Sequence, residues 1–196
     1  HLPHRLRGHR RQEVGQPPAH HGRGVPVRLT AMEDDSEDIR IEEGALPPYL
    51  REGCLNHLSD LGGFKALRND LLRRGYVRNS VKVPQDAANL FRRAHGGFLM
   101  FLVDVTACMA GYSMGKHNVT QHVSLDFTRG ALLGDELVIE ARVLHDGRTT
   151  ALVDVRVLDS TGRLCVKASC TLFYVGAVDP NEPPPEPYLG RNPGVR

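Results

Sequence analysis

His95-Gly96-Gly97 opens the most apolar stretch of the chain, which continues Phe98-Leu99-Met100-Phe101-Leu102-Val103-Asp104-Val105-Thr106-Ala107-Cys108-Met109-Ala110-Gly111. Apolar side chains on every side for about four turns predict a helix buried all round rather than on one face. The first turn of such a helix presents backbone N–H groups without intrahelical partners and a partial positive charge. That makes it a donor for an oxygen that gains negative charge during a reaction. Glycines there let a substrate approach the backbone closely. Asp104 is the one charged side chain within the stretch, and burying a carboxylate costs several kcal/mol unless something compensates. Taken singly, the glycine pair is a tight turn, Asp104 a core aspartate, His95 a helix cap and Asn89 a turn residue. Together they describe a donor and an acid that could serve one carbonyl.

Eight residues at 1.5 Å rise set Gly96 and Asp104 about 12 Å apart along the axis, too far for one carbonyl to touch both. Two such helices packed antiparallel across a two-fold axis would place the glycine end of one near the acid of the other. The spacing therefore predicts a site shared at a homodimer interface.

The elements around this helix are legible from periodicity. Residues 1–46 are expected to be a weakly ordered tail, with an Arg-, His-, Pro- and Gly-rich start whose only acidic residue before Met32 is Glu13. Its prolines and scarce serines argue against a mitochondrial transit peptide, and Met32-Glu33-Asp34-Asp35 resembles a natural start, so residues 1–31 are expected to be upstream or artificially added sequence. The domain is expected over 47–176. Tyr49, Leu50, Leu55, Leu58 and Leu61, then Phe64, Leu67, Leu71 and Leu72, predict two short amphipathic helices. A first strand follows over 76–83. After the central helix come four strands, 119–128, 136–144, 150–158 and 164–175, with turn chemistry at Gly134-Asp135, Asp146-Gly147 and Thr161-Gly162. Short turns between consecutive strands make an antiparallel meander. Asp154 and Arg156 alternate with Val153, Val155 and Val157, so one sheet face is wet and the other packs on the helix. The run from Asp179 to Pro187 marks a proline-rich tail over 177–196.

Composition narrows the function. A net charge of +2 with its positive excess in the first thirty residues leaves no basic element for a nucleic-acid footprint. No run approaches the roughly eighteen apolar residues of a membrane span. Cys54, Cys108, Cys165 and Cys170 form no C-x-x-C pair, which suits a reducing, cytoplasmic compartment. His117 and His122 lack a third ligand at metal-site spacing, so no metal is expected.

The order of landmarks resembles the hotdog-fold acyl-CoA thioesterases of the His-Gly-Gly, phenylacetate-pathway-like group. Asn89 stands six residues before His95 and Asp104 nine after it. Thr128-Arg129-Gly130-Ala131-Leu132-Leu133-Gly134-Asp135 looks like the group's strand link, and Asp146-Gly147-Arg148-Thr149 looks like its hairpin. The resemblance covers about 76–176. It implies an α+β hotdog fold, an antiparallel sheet wrapped round a long central apolar helix, and hydrolysis of acyl-CoA to free acid and coenzyme A without a cofactor. It further implies a homodimer, with a homotetramer as the expected larger assembly. By the same resemblance the Gly96 N–H polarises the thioester, the partner's Asp104 activates water or attacks directly, and Asn89 and His95 position the reactants. Thr120 stands beside the acid, and Arg148 and Arg129 are candidates for the coenzyme A phosphates. Cys108 departs from the Ser or Thr that some relatives carry one turn after the acid. A non-catalytic acyl-CoA-binding module, as sensor or carrier, is the alternative. A hotdog dehydratase would need a His and acid pair that the sequence does not offer. Phe98, Met100, Phe101, Met109 and Tyr112 are candidates for either core or acyl pocket.

Overall fold

A computed structural model describes residues 44–56 and 66–181. Helix α1 (Pro48–Asn56) starts on a proline, whose fixed φ suits a first helical turn. It buries Leu50 and Cys54. Gly53 lies so close to the Tyr112 ring that no side chain fits between them, which lets α1 dock at the end of the central helix. The expected second helix is a strand in its described part: β1 (Arg68–Arg73) turns at Arg74-Gly75 and pairs antiparallel with β2 (Tyr76–Lys82). Gly75 has φ 71°, which a glycine adopts without strain. A bulge between Asn69 and Leu71 explains the mistaken period. It breaks strand alternation, so Leu67, Leu71 and Leu72 mimic a helical face. The Asn69 side chain holds the bulge, donating to the carbonyls of Leu71 and Arg78 and to Asn79 Oδ1. Leu58, Leu61 and Phe64 of that expectation, most of the N-terminal tail and residues 182–196 lie outside the described residues.

The apolar run forms helix α2 (Gly96–Tyr112). It is followed by β3 (Lys116–Phe127), β4 (Glu136–Asp146), β5 (Thr150–Leu158) and β6 (Leu164–Ala177). The six strands make one antiparallel sheet in the order β1-β2-β4-β5-β6-β3, so the sequence-predicted strands stand within a few residues of their expected bounds. The inner face of the sheet, with Leu137, Ile139, Val153, Val155, Val157 and Leu172 fully buried, packs on Leu102, Val103, Ala107 and Met109 of α2. Two polar clamps stop the helix from sliding. Buried Asn79 donates to Thr106 Oγ1 at 3.1 Å, and the Gly75 amide donates to Ser113 Oγ at 2.8 Å.

One expectation needs correcting. Helix α2 is not buried all round, because Gly97, Met100, Phe101, Asp104 and Cys108 form a stripe that is open or half-open, Met100 being 48% exposed. Asp104 is accordingly half-buried. This stripe lies toward β3, the sheet's last strand, where the covering layer runs out. The outer face of the sheet is polar as expected but less wet, since Glu140, Arg142 and Asp154 are buried under their neighbours. Glu140 accepts from Tyr76 and Arg78, and Asp154 pairs with Lys167.

The β5–β6 turn hangs on Asp159. Its Oδ1 accepts from the amides of Thr161 and Arg163 and from the Thr161 hydroxyl, and its Oδ2 accepts from Arg163 Nε. Burial raises this carboxyl, but the hydrogen bonds from Thr161 and Arg163 outweigh it and hold the group at about 2. A carboxylate depressed below its unfolded value of about 3.9 contributes stability that is complete above that value and lost as pH falls through the folded one. Asp159→Asn is therefore expected to cost about 1–3 kcal/mol at pH 7. In thermal melts across pH, the gap from wild type should close between about pH 4 and about pH 2. A gap of constant size down to pH 2 would contradict this account of the turn.

Candidate active site

The loop that delivers the chain to α2 is built around Asn89. Its Oδ1 accepts from the amides of Phe91 (2.9 Å) and Arg93 (3.1 Å), while its backbone N–H donates to the Arg93 carbonyl. This Asx-type turn tolerates the positive φ of Arg92 at 55°. The next bonds fix where the helix begins. The His95 amide donates to the Ala87 carbonyl at 2.7 Å, and His95 Nδ1 accepts from the Gly97 N–H at 2.9 Å. His95 is thus the cap of α2, and a neutral ring whose Nδ1 accepts carries its proton on Nε2. Capping by His95 leaves the Gly96 N–H without an acceptor among the described residues. The ring of Phe127 lies beside Gly96, its tip 3.1 Å from where a Cβ at position 96 would stand.

Asn89, Phe91, Arg93, Gly96, Leu99, Phe127 and Arg129 line one cleft of about 360 Å³ at this end of the helix. Its walls combine apolar rings with two guanidinium groups. Arg148 does not reach it. The β4–β5 turn that carries Arg148 lies at the opposite end of α2, where Lys116 Nζ bonds Asp146 and the Gly147 carbonyl.

Asp104 lies about 12 Å further along the helix than Gly96 and is not part of that cleft. Thr120 Oγ1, on β3, donates to Asp104 Oδ1 at 2.5 Å. Cys108 Sγ, one turn after the acid, stands 3.2 Å from the same Thr120 oxygen. Burial pushes the Cys108 thiol up to about 11, and the Asp104 carboxylate raises it further. At neutral pH the sulfur is therefore protonated and a poor nucleophile.

The candidate residues thus fall into two groups on one chain: Asn89, His95, Gly96 and Arg129 at the helix start, Asp104 and Thr120 in its middle, with Arg148 apart from both. Phe127 was not singled out from the sequence. Alternation with Val123 and Leu125 puts it on the helix-facing side of β3, but only the folded chain shows that it meets Gly96. Met109 and Tyr112 are fully core, Phe98 and Phe101 are half-buried against it, and Met100 is exposed. Among the described residues no three His, Cys, Asp or Glu side chains gather as a metal site, and no helix is long and apolar enough to cross a membrane.

Residues 91–166 match the thioesterase superfamily. The chain is 30% identical over 97 residues to acyl-coenzyme A thioesterase PaaI of Escherichia coli (strain K12), spanning 48% of this chain and 69% of that protein. It is 31% identical over 100 residues to acyl-coenzyme A thioesterase 13 of Homo sapiens, spanning 50% and 71%. Among solved structures, a Streptococcus mutans UA159 protein bound to acetyl CoA aligns with a TM-score of 0.59 at 32% identity, over 63% of this chain and 99% of that one. The chain belongs to the thioesterase superfamily. Its sheet-wrapped helix is the hotdog fold, and its reaction class is thioester hydrolysis.

The state of the Cys108 thiol can be read by site-resolved alkylation with iodoacetamide. Its rate should climb about tenfold per pH unit with no plateau below about pH 11. A plateau near the ordinary thiol value of about 8.5 would contradict the burial argument.

Proposed function

We propose that this protein hydrolyses acyl-CoA to free acid and coenzyme A, at a site each half of which comes from a different copy of the chain. The observation that carries this reading is the separation on α2. A free amide donor and a carboxylate stand on one rigid helix too far apart to share a carbonyl, while the half-open stripe bearing Asp104 faces strand β3, which pairs only with β6 among the described residues. Antiparallel pairing of two β3 edges would cover both stripes and set the start of one α2 beside the middle of the other. The Gly96 amide then polarises the thioester carbonyl. The partner's Asp104 activates a water for attack, and the C–S bond breaks with the water's proton passing to the coenzyme A thiolate. By direct attack it would instead expel the thiolate and form an acyl anhydride, which water then hydrolyses to the free acid and the proton for the thiolate. A thioester has a good leaving group and little resonance stabilisation, so this machinery needs no metal or other cofactor.

The same pairing bears on the two arginines. Within one chain Arg129 and Arg148 stand at opposite ends of α2, but across an antiparallel interface the partner's Arg148 would approach the cleft that Arg129 lines. Both are then available to the coenzyme A phosphates. Asn89 and His95 shape the cleft mouth through the loop and cap they hold. Four free thiols suit a reducing compartment such as the cytoplasm.

Incubation with a panel of aryl and straight-chain acyl-CoA thioesters and a thiol reagent should show thiol release. Asp104→Asn should lower kcat by about 10²–10⁴-fold while the protein still folds and binds coenzyme A. Absence of release from every thioester would favour a binding module instead. For the shared site, equimolar Gly96→Val and Asp104→Asn chains, mixed and refolded, should recover up to about a quarter of wild-type activity through hybrid dimers with one intact site. Well-folded hybrids with no recovery would show that each chain carries its own complete site.

A further inference from the structure

Thr120 Oγ1 has one proton and two polar neighbours, Asp104 Oδ1 at 2.5 Å and Cys108 Sγ at 3.2 Å. An ionised carboxylate only accepts, so the hydroxyl proton goes to Oδ1. The oxygen's remaining lone pairs then face Cys108, and the proton between sulfur and oxygen has to come from the thiol. We propose that Cys108 is a positioning residue, the first donor of a chain running from its S–H to the Thr120 hydroxyl and from there to Asp104 Oδ1. The chain pins one carboxylate oxygen and turns Oδ2, which makes no hydrogen bond among the described residues, toward the reacting thioester. This assignment rests on the reading of Asp104 as the catalytic acid.

Three features of the surroundings suit the role. Cys108 and Asp104 are one turn apart on α2, so their side chains lie on the same face and can both reach one β3 hydroxyl. The Cys108 backbone is itself tied to β3, its carbonyl accepting from Asn118 Nδ2 at 3.2 Å, which holds the sulfur at its distance from Thr120. Burial keeps the thiol protonated through the neutral range, so the donor is present there. Accepting a hydrogen bond polarises the Thr120 O–H and strengthens its donation to the carboxylate. A serine or threonine could do the same. Cysteine here supplies the donor with a larger, more apolar atom that also fills the space between α2 and the edge strand.

The S–H stretching band of Cys108, isolated as the infrared difference between wild type and Cys108→Ala, reports the first link directly. It should lie at the lower frequency of a hydrogen-bonded thiol and shift upward in Thr120→Val. A free-thiol frequency in the wild type, or no shift in Thr120→Val, would overturn the chain, and Cys108→Ser, which also removes the S–H, serves as the blank if the alanine variant folds poorly. In steady-state kinetics Cys108→Ala should lose about three- to tenfold in kcat with KM unchanged, and Cys108→Ser should restore most of it. Equal losses in both variants would make Cys108 a packing residue and overturn the proposal. Asp104→Asn separates the two readings. If it is inactive while Cys108→Ala turns over like wild type, the chain alone fails. Should Asp104→Asn be fully active, the catalytic reading of the acid fails and the chain goes with it.

Discussion

A rigid rod carries both halves of the proposed site. Helix α2 fixes the Gly96 amide and the Asp104 carboxylate at a separation that hydrogen-bonded helical geometry does not allow to shrink. The fold around it then guards that rod against displacement. Asn79 grips its middle from β2, Ser113 grips its end from the β1–β2 turn, and His95 closes its first turn. A helix clamped at three points cannot slide or unwind to bring its own amide and acid together. Any chemistry that uses both has to import one of them.

The placement of Asp104 follows from the same architecture. A carboxylate sealed in the core would face a desolvation cost of several kcal/mol. On the stripe facing the sheet's edge strand it keeps part of its hydration in the single chain and gains a charge-assisted bond from Thr120. On the shared-site reading, a second copy would remove the remaining water and lower the local dielectric. That strengthens the pull of the opposing amide and the push of the carboxylate alike.

Much of the architecture was legible in the sequence because its periods are clean. The strand over 150–158 alternates without interruption, and the glycine-led apolar run admits no other reading than helix. Where a local irregularity interrupts a period, legibility ends. The bulge at Asn69 and Leu71 made a strand resemble a helical face, and the bulges in β3 left its start three residues off. The candidate site divides the same way. His95, Gly96 and Asp104 stand out by type and spacing. Which groups face them is a tertiary fact that no local pattern encodes: the ring of Phe127 next to Gly96, the Cys108 sulfur beside Thr120, and the half-open stripe under Asp104. The all-round burial expected of α2 failed for a related reason. Hydrophobicity says that a surface prefers cover, without saying whether the same chain supplies it.

The contact between Phe127 and Gly96 carries an evolutionary consequence. The two positions compete for one volume, since a methyl group at 96 would press on the phenyl ring within 3.1 Å. Tolerance at either place is therefore conditional on the other. Alanine at 96 requires the half-exposed ring tip to give by a few tenths of an ångström, and a smaller residue at 127 would remove that demand. The pair should drift in concert among descendants of this chain, leaving a covariation signal between the first residue of a helix and the last residue of a strand.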